Sequence, residues 1–149
     1  MALIAGVFLS FSDFIMRRLA QAPGTAGPTS MVVINRTVFH SIFMVLFIGL
    51  LVVSVALAQL ALWQLNGIAL SLVLAGSLSY GLCVFAVAGL GSVPMSNRLS
   101  TMSGSMEETA IYWLDFVQLW TRLNNIRSAV SAIAAIAWLI VANQFRCNS

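Results

Sequence analysis

The sequence predicts an all-α integral membrane protein: one four-helix transmembrane bundle spanning residues 1–149, with helices 2 and 4 extended beyond the membrane on one side. Three observations carry this. Hydrophobic residues make up 60% of the chain, charged residues only 7%, and there is no lysine. Apolar runs at about 41–62 and 68–91 are each long enough to cross a bilayer, which takes about 20 residues, and further runs at about 2–20 and 126–143 complete a set of four. In hydrocarbon each backbone N–H and C=O must be satisfied within its own segment, so such runs become helices. The period-2 alternation of barrel strands is missing from them.

Helix 1 is expected to run to about Gln21, ended by Ala22-Pro23-Gly24 and a Gly27-Pro28 turn. Ala20-Gln21-Ala22 resembles a signal-peptide cleavage site. No basic residue precedes the apolar stretch, however, and Arg17 and Arg18 follow it, so a retained helix is expected. Helix 2 is expected from near Thr29 to Gln64, where Asn66-Gly67 ends it. Helix 3 should run from Ile68 to about Leu90 and break at Gly91-Ser92-Val93-Pro94. Ser105-Met-Glu-Glu108 has the form of a capping box, after which neither Gly nor Pro occurs before the C-terminus. One long helix 4 follows, amphipathic over about 106–125 and membrane-spanning beyond. On its first half Glu108, Asp115, Gln118, Arg122 and Asn125 form a polar stripe, and Trp120, Asn124 and Arg127 form a neighbouring line.

The net charge is +3, from seven arginines against Asp13, Glu107, Glu108 and Asp115. No basic cluster suits nucleic acid, and the excess reads as a topology signal. With four crossings, six arginines lie in two long loops on one side, and Arg146 stands alone on the other. The positive-inside rule then places the long loops in the cytoplasm and both termini outside. Cys83 falls mid-span and Cys147 in the tail, which argues against a disulfide between them.

The polar residues gather at one end of the spans, and polar groups at membrane depth are costly enough to suggest a site. Asp13 and Arg17 are four apart on helix 1; Arg36 and His40 are four apart on helix 2, with Asn35 beside them. Ser92, Ser96 and Asn97 follow helix 3, and Trp120, Asn124 and Arg127 enter helix 4. An antiparallel bundle brings these sets to one level, around a pocket expected to be walled by Phe11, Phe14, Phe39, Phe43, Tyr112 and Trp113. There is no Cys/His cluster for a metal, no haem attachment motif and no phosphate loop or dinucleotide fingerprint, so no metal or cofactor is expected.

Gly6-Val-Phe-Leu-Ser-Phe-Ser-Asp-Phe-Ile-Met16, Met31-Val-Val-Ile-Asn-Arg36, Val93-Pro-Met-Ser-Asn-Arg-Leu99 and Trp120-Thr-Arg-Leu-Asn-Asn-Ile-Arg127 occur in order. In this the chain resembles the anthrone oxygenase-like membrane proteins, a largely bacterial family, which would place it in a bacterial inner membrane. The resemblance implies an oxygenase that converts an apolar aromatic ketone, an anthrone, to a quinone with O₂ and without flavin or metal. An acidic C–H is deprotonated and the enolate reduces O₂, so a base must meet the carbon and donors must meet the oxyanion. On that reading His40 or Asp13 is the base, Asn124 and Arg127 are the donors, Trp120 stacks on the substrate, and Asn35, Arg36 and Asn97 bind it. The chain departs from the family pattern with serine at 92 and 96, where asparagine is usual, and with Leu123 and Asn125 for a tryptophan and a histidine. The expected partners are membrane lipid, an apolar aromatic ligand, and a second copy or a larger membrane complex. The alternative function is that of a non-catalytic accessory subunit in such a complex. The two differ in that an enzyme needs an enclosed pocket lined by the polar residues.

Overall fold

A computed structural model describes residues 1–102 and 106–148, and every regular element among them is helical. Helix α1 (Ala2–Ser10) passes through a π-helical turn, Phe11–Ile15, into α2 (Met16–Ala20). A turn with Gly24 in the left-handed region, φ 58°, reverses the chain into α3 (Ala26–Val38). The Gly27-Pro28 pair therefore opens α3 instead of forming a turn. Proline suits the first turn of a helix, where its missing N–H has no partner to lose.

The expected continuous helix from Thr29 to Gln64 is divided. After α3 the chain turns through Phe39 to Ser41, which is extended at φ −96°, ψ 158°, before α4 (Ile42–Gln64) begins. Local hydrogen bonds supply the reason: Ser41 Oγ donates to the Val38 carbonyl at 2.7 Å, and the His40 amide donates to the Thr37 carbonyl at 3.1 Å. The Val38 carbonyl also accepts the Ser41 amide at 3.1 Å, and a serine that bonds a nearby carbonyl in this way competes with helix continuation. The Asn66-Gly67 turn is found as expected, with Gly67 at φ 65°.

Helix α5 (Gly67–Leu78) does not stop near Leu90. It continues through two π-helical stretches, Ser79–Phe85 and Val87–Ser92, into α6 (Val93–Thr101). The widened turn ahead of Pro94 leaves that proline in the first turn of α6, so the helix absorbs it without breaking. Helix α7 (Met106–Asn148) is the long final helix; the capping Ser105 lies outside the described residues.

Helix α7 packs along α1, α5 and the first π stretch, and three apolar clusters follow one another up its length. The first joins Met16, Met31 and Leu99 to Trp113, Phe116 and Trp120. The second joins Ile4, Phe8, Phe47, Tyr80 and Val84 to Ala134, and the third joins Ala61 and Val73 to Val141. Between the first and second, α7 presents buried Asn124, Arg127, Ser128 and Ser131. The stripe of Glu108, Asp115, Gln118, Arg122 and Asn125 is exposed on another face.

Two helical stretches, Ile42–Gln64 and Glu107–Gln144, are long and apolar enough to cross a membrane. Their most apolar windows are only 17% and 28% buried in the chain, far less than the core helix of a water-soluble protein. The outward residues Ile42, Val45, Val52 and Leu60 of α4 and Ile133, Ile136 and Leu139 of α7 are large and apolar. The other two expected spans do not form uninterrupted α-helices of that length, because π turns divide them.

Candidate functional site

The interruption in the apolar packing of α7 opens onto a cleft of about 410 Å³, within the usual range for small-molecule sites. Its apolar part is a group of phenylalanines from three elements: Phe8 of α1, Phe43 and Phe47 of α4, and Phe85 of the first π stretch. Phe47 stacks on Phe85 at 4.6 Å and on Phe43 at 5.8 Å, while Phe8 meets Phe43 and Phe47 edge-on at 5.8 and 6.0 Å. Such pairs favour offset or edge-to-face contact and form an apolar wall. Gly91 stands where Leu123 comes close; a Cβ there would be 2.7 Å from Leu123 Cδ1.

The polar part comes from α3, α6 and α7. Asn35 and Arg36 project from α3, and Ser92, Ser96 and Ser100, at four-residue spacing, present one helical face beside Asn97. Asn35 Nδ2 donates to Ser96 Oγ at 2.9 Å and ties α3 to α6. Ser92 Oγ is buried without a hydrogen-bond partner.

Arg127 is 6% exposed and lines the cleft. Its guanidinium lies over the rings of Phe8 at 4.7 Å and Trp120 at 5.9 Å, and its Nη2 donates to Asn124 Oδ1 at 2.8 Å. Its Nε is buried and has no hydrogen-bond partner. Asn124, 1% exposed, uses its amide nitrogen to donate to the Phe8 carbonyl at 2.5 Å and to Ser12 Oγ at 2.9 Å. One turn on, Ser128 Oγ donates to the Ala5 carbonyl at 2.9 Å. These bonds fasten α7 to α1 and hold the guanidinium plane in place.

Of the residues singled out in the sequence, Asn35, Arg36, Asn97, Trp120 and Arg127 line this cleft together, and Asn124 supports Arg127 from behind. Trp120 is 6% exposed, so it serves as a wall and as a π partner for Arg127 more than as an open platform. Asp13 and His40 are not brought to the cleft. Asp13 pairs with Arg17 at 3.5 Å, the two side chains 63% and 75% exposed, in a separate groove with Arg122 and Asn125. His40 is exposed at the α3–α4 break, its Nδ1 3.3 Å from the Arg36 carbonyl oxygen. Among the expected wall residues, Phe39 and Phe43 line the cleft, whereas Trp113 stacks on Phe116 and packs in the first apolar cluster. Phe14 is exposed, and Phe11 and Tyr112 pack at the margin of that cluster.

Sequence reasoning missed Phe8, Phe47, Phe85 and Ser100 as wall residues. The serine line at 92, 96 and 100 was the available signal, hidden by the expected break in helix 3. Among the described residues no three His, Cys, Asp or Glu side chains group together. The described lining holds two guanidiniums and neither carboxylate nor imidazole. Two guanidiniums without an acid in the lining favour negative charge in the cleft.

A family model described as anthrone oxygenase matches residues 37–137, a stretch that contains Ser92, Ser96, Asn97, Trp120, Asn124 and Arg127. No curated protein and no solved structure matches the chain.

Proposed function

The chain belongs to the anthrone oxygenase family, and on that premise we propose that it is a membrane oxygenase acting on an anthrone-like aromatic ketone held in the phenylalanine-walled cleft. The observation that carries this reading is Arg127: a buried guanidinium at an aromatic wall, its Nε free and no carboxylate among its hydrogen-bond partners. A buried charge is expensive to keep unpaired, and a ligand oxygen that becomes anionic during reaction would supply the missing partner.

The substrate is an aromatic ketone whose ring methylene lies opposite the carbonyl. Loss of a methylene proton gives an enolate with its charge on the carbonyl oxygen, which faces the Arg127 guanidinium. A preorganised donor in a water-poor site lowers the energy of that charge more than the neutral ketone. The cleft lining supplies no carboxylate or imidazole, so the proton leaves to water at the open polar end. The enolate carbon then transfers electrons to O₂ and forms a C–O bond. Elimination of water from the resulting hydroperoxide leaves a second carbonyl. One oxygen atom of O₂ stays on the carbon and the other leaves as water. Phe8, Phe47 and Phe85 hold the ring system, and the Asn35–Ser96 bond fixes the polar rim.

The membrane setting belongs to the same reading. The outward apolar faces of α4 and α7 meet lipid, the helical runs at 2–20 and 67–101 supply the other two crossings of a four-helix bundle, and the arginine-rich end faces the cytoplasm of a bacterial cell. The test is quinone formation from an anthrone under O₂ by membranes that contain the protein. Oxidation above that of empty membranes is expected, and equal rates across several anthrones would sink the reading in favour of an accessory subunit.

A further inference from the structure

The cleft carries more positive charge than an oxyanion clamp needs. One guanidinium, Arg127, sits against Phe8 and Trp120 in the apolar part, while a second, Arg36, lines the same cleft from α3 beside the Asn35–Ser96 bond. Arg36 has no acid within one helical turn; positions 32, 33, 39 and 40 are Val, Val, Phe and His. The four acids of the chain lie elsewhere. Asp13 is paired with Arg17 in the separate groove, and Glu107, Glu108 and Asp115, all exposed on α7, do not line the cleft. The charge at the rim is therefore not balanced from within the cleft.

A topology anchor would explain an arginine at this level, but an anchor extends away from the bundle toward headgroups. Arg36 is exposed, but it stands at the cleft, which Val32, Asn35 and Phe39 beside it also line. Around it the rim offers Asn97 and the hydroxyls of Ser96 and Ser100. A planar guanidinium on a rim that also carries amide and hydroxyl groups matches a carboxylate, which it can bind through two parallel N–H···O bonds. The volume of about 410 Å³ suits a fused-ring molecule with one small substituent.

We infer that the substrate carries an ionised carboxylate on the ring edge remote from the reacting carbonyl, and that Arg36 reads it while Arg127 meets the enolate oxygen. This rests on the oxygenase reading for the identity of the ring system, but the binding chemistry is testable without turnover. A substrate so held has its carbonyl in the apolar part and its acid at the wet end, which fixes its orientation.

The test is binding of anthraquinone-2-carboxylate and of its methyl ester to the purified protein in a neutral detergent at neutral pH, followed by quenching of tryptophan fluorescence. The acid should bind about tenfold more tightly than the ester, the scale of one charge-assisted contact at a partly exposed site. Added salt should narrow the gap. In Arg36→Gln the preference should fall to about one, and Arg36→Lys should restore part of it. Equal affinities in the wild-type chain, or a preference that survives Arg36→Gln, would overturn the inference; the wild-type comparison decides even if the variant does not fold. Parallel O₂ assays keep the two readings apart. Preferential binding without quinone formation removes the oxygenase and leaves this site standing. Oxidation of neutral anthrones with no preference for the acid does the reverse.

Discussion

Arg127 Nη2 donates to Asn124 Oδ1 at 2.8 Å, so the asparagine one turn back on α7 orients a buried cation that has no carboxylate among its hydrogen-bond partners. The amide of Asn124 is turned the other way, onto the Phe8 carbonyl and Ser12 Oγ of the first helix. One side chain thus joins the register of α1 on α7 to the direction of the guanidinium. The consequences can be measured separately.

Arg127→Lys keeps a positive charge but loses the planar fork and the Nε donor. Anthrone oxidation should fall about 100-fold, the loss typical of one oxyanion donor, while the protein still accumulates in membranes. Oxidation at the wild-type rate would show that the guanidinium does not meet the reacting oxygen.

Asn124→Ala removes the brace. Leaving the Arg127 guanidinium without its acceptor, and the Phe8 carbonyl and Ser12 hydroxyl without their donor, should cost about 1–3 kcal/mol, read as a lower unfolding midpoint in detergent. Oxidation per folded molecule should fall as well. Ser128→Ala is the control: it cuts the bond to the Ala5 carbonyl between the same two helices but leaves Arg127 Nη2 on Asn124. It should lower stability and spare the rate.

Asp13→Asn should change stability by no more than about 1 kcal/mol, because the Asp13–Arg17 pair is largely exposed and such pairs contribute little. A loss of several kcal/mol on thermal unfolding would mean that Asp13 compensates a buried arginine instead.

Gly27→Ala should destabilise the chain by about 1–3 kcal/mol. A Cβ there would run into the Leu19 backbone carbonyl and lie 3.0 Å from Trp113 Cζ2, so α3 would have to move off the end of α2. Gly91→Ala should cost less, since its Cβ meets only the flexible end of Leu123. The order of the two unfolding midpoints checks the packing of the first apolar cluster.

A reporter fused after Ser149 should appear on the extracytoplasmic side if four helices cross and six arginines hold the loops inside. A cytoplasmic reporter would reverse the orientation.

The sequence by itself determined the helical class, the long final helix and the Gly24 and Gly67 turns. Those features follow from local chemistry: long apolar runs that satisfy their own backbone as helices, and glycines that reach positive φ. It also separated the exposed stripe of α7 from the inward line of Trp120, Asn124 and Arg127, since a 3.6-residue period sets both. Only the tertiary structure decided which of the polar groups meet. Ser12 faces Asn124 while Asp13, one residue and about 100° further round the helix, faces the other groove. Counting residues at one level could not tell these neighbours apart, and a π turn at Phe11–Ile15 shifts the phase of all that follows. His40 was displaced in the same way by a local event, the Ser41 bond to the Val38 carbonyl that ends α3. The phenylalanine wall lies on three elements far apart in the chain. Its assembly depends on long-range packing of rings, which leaves no periodic trace in any one segment.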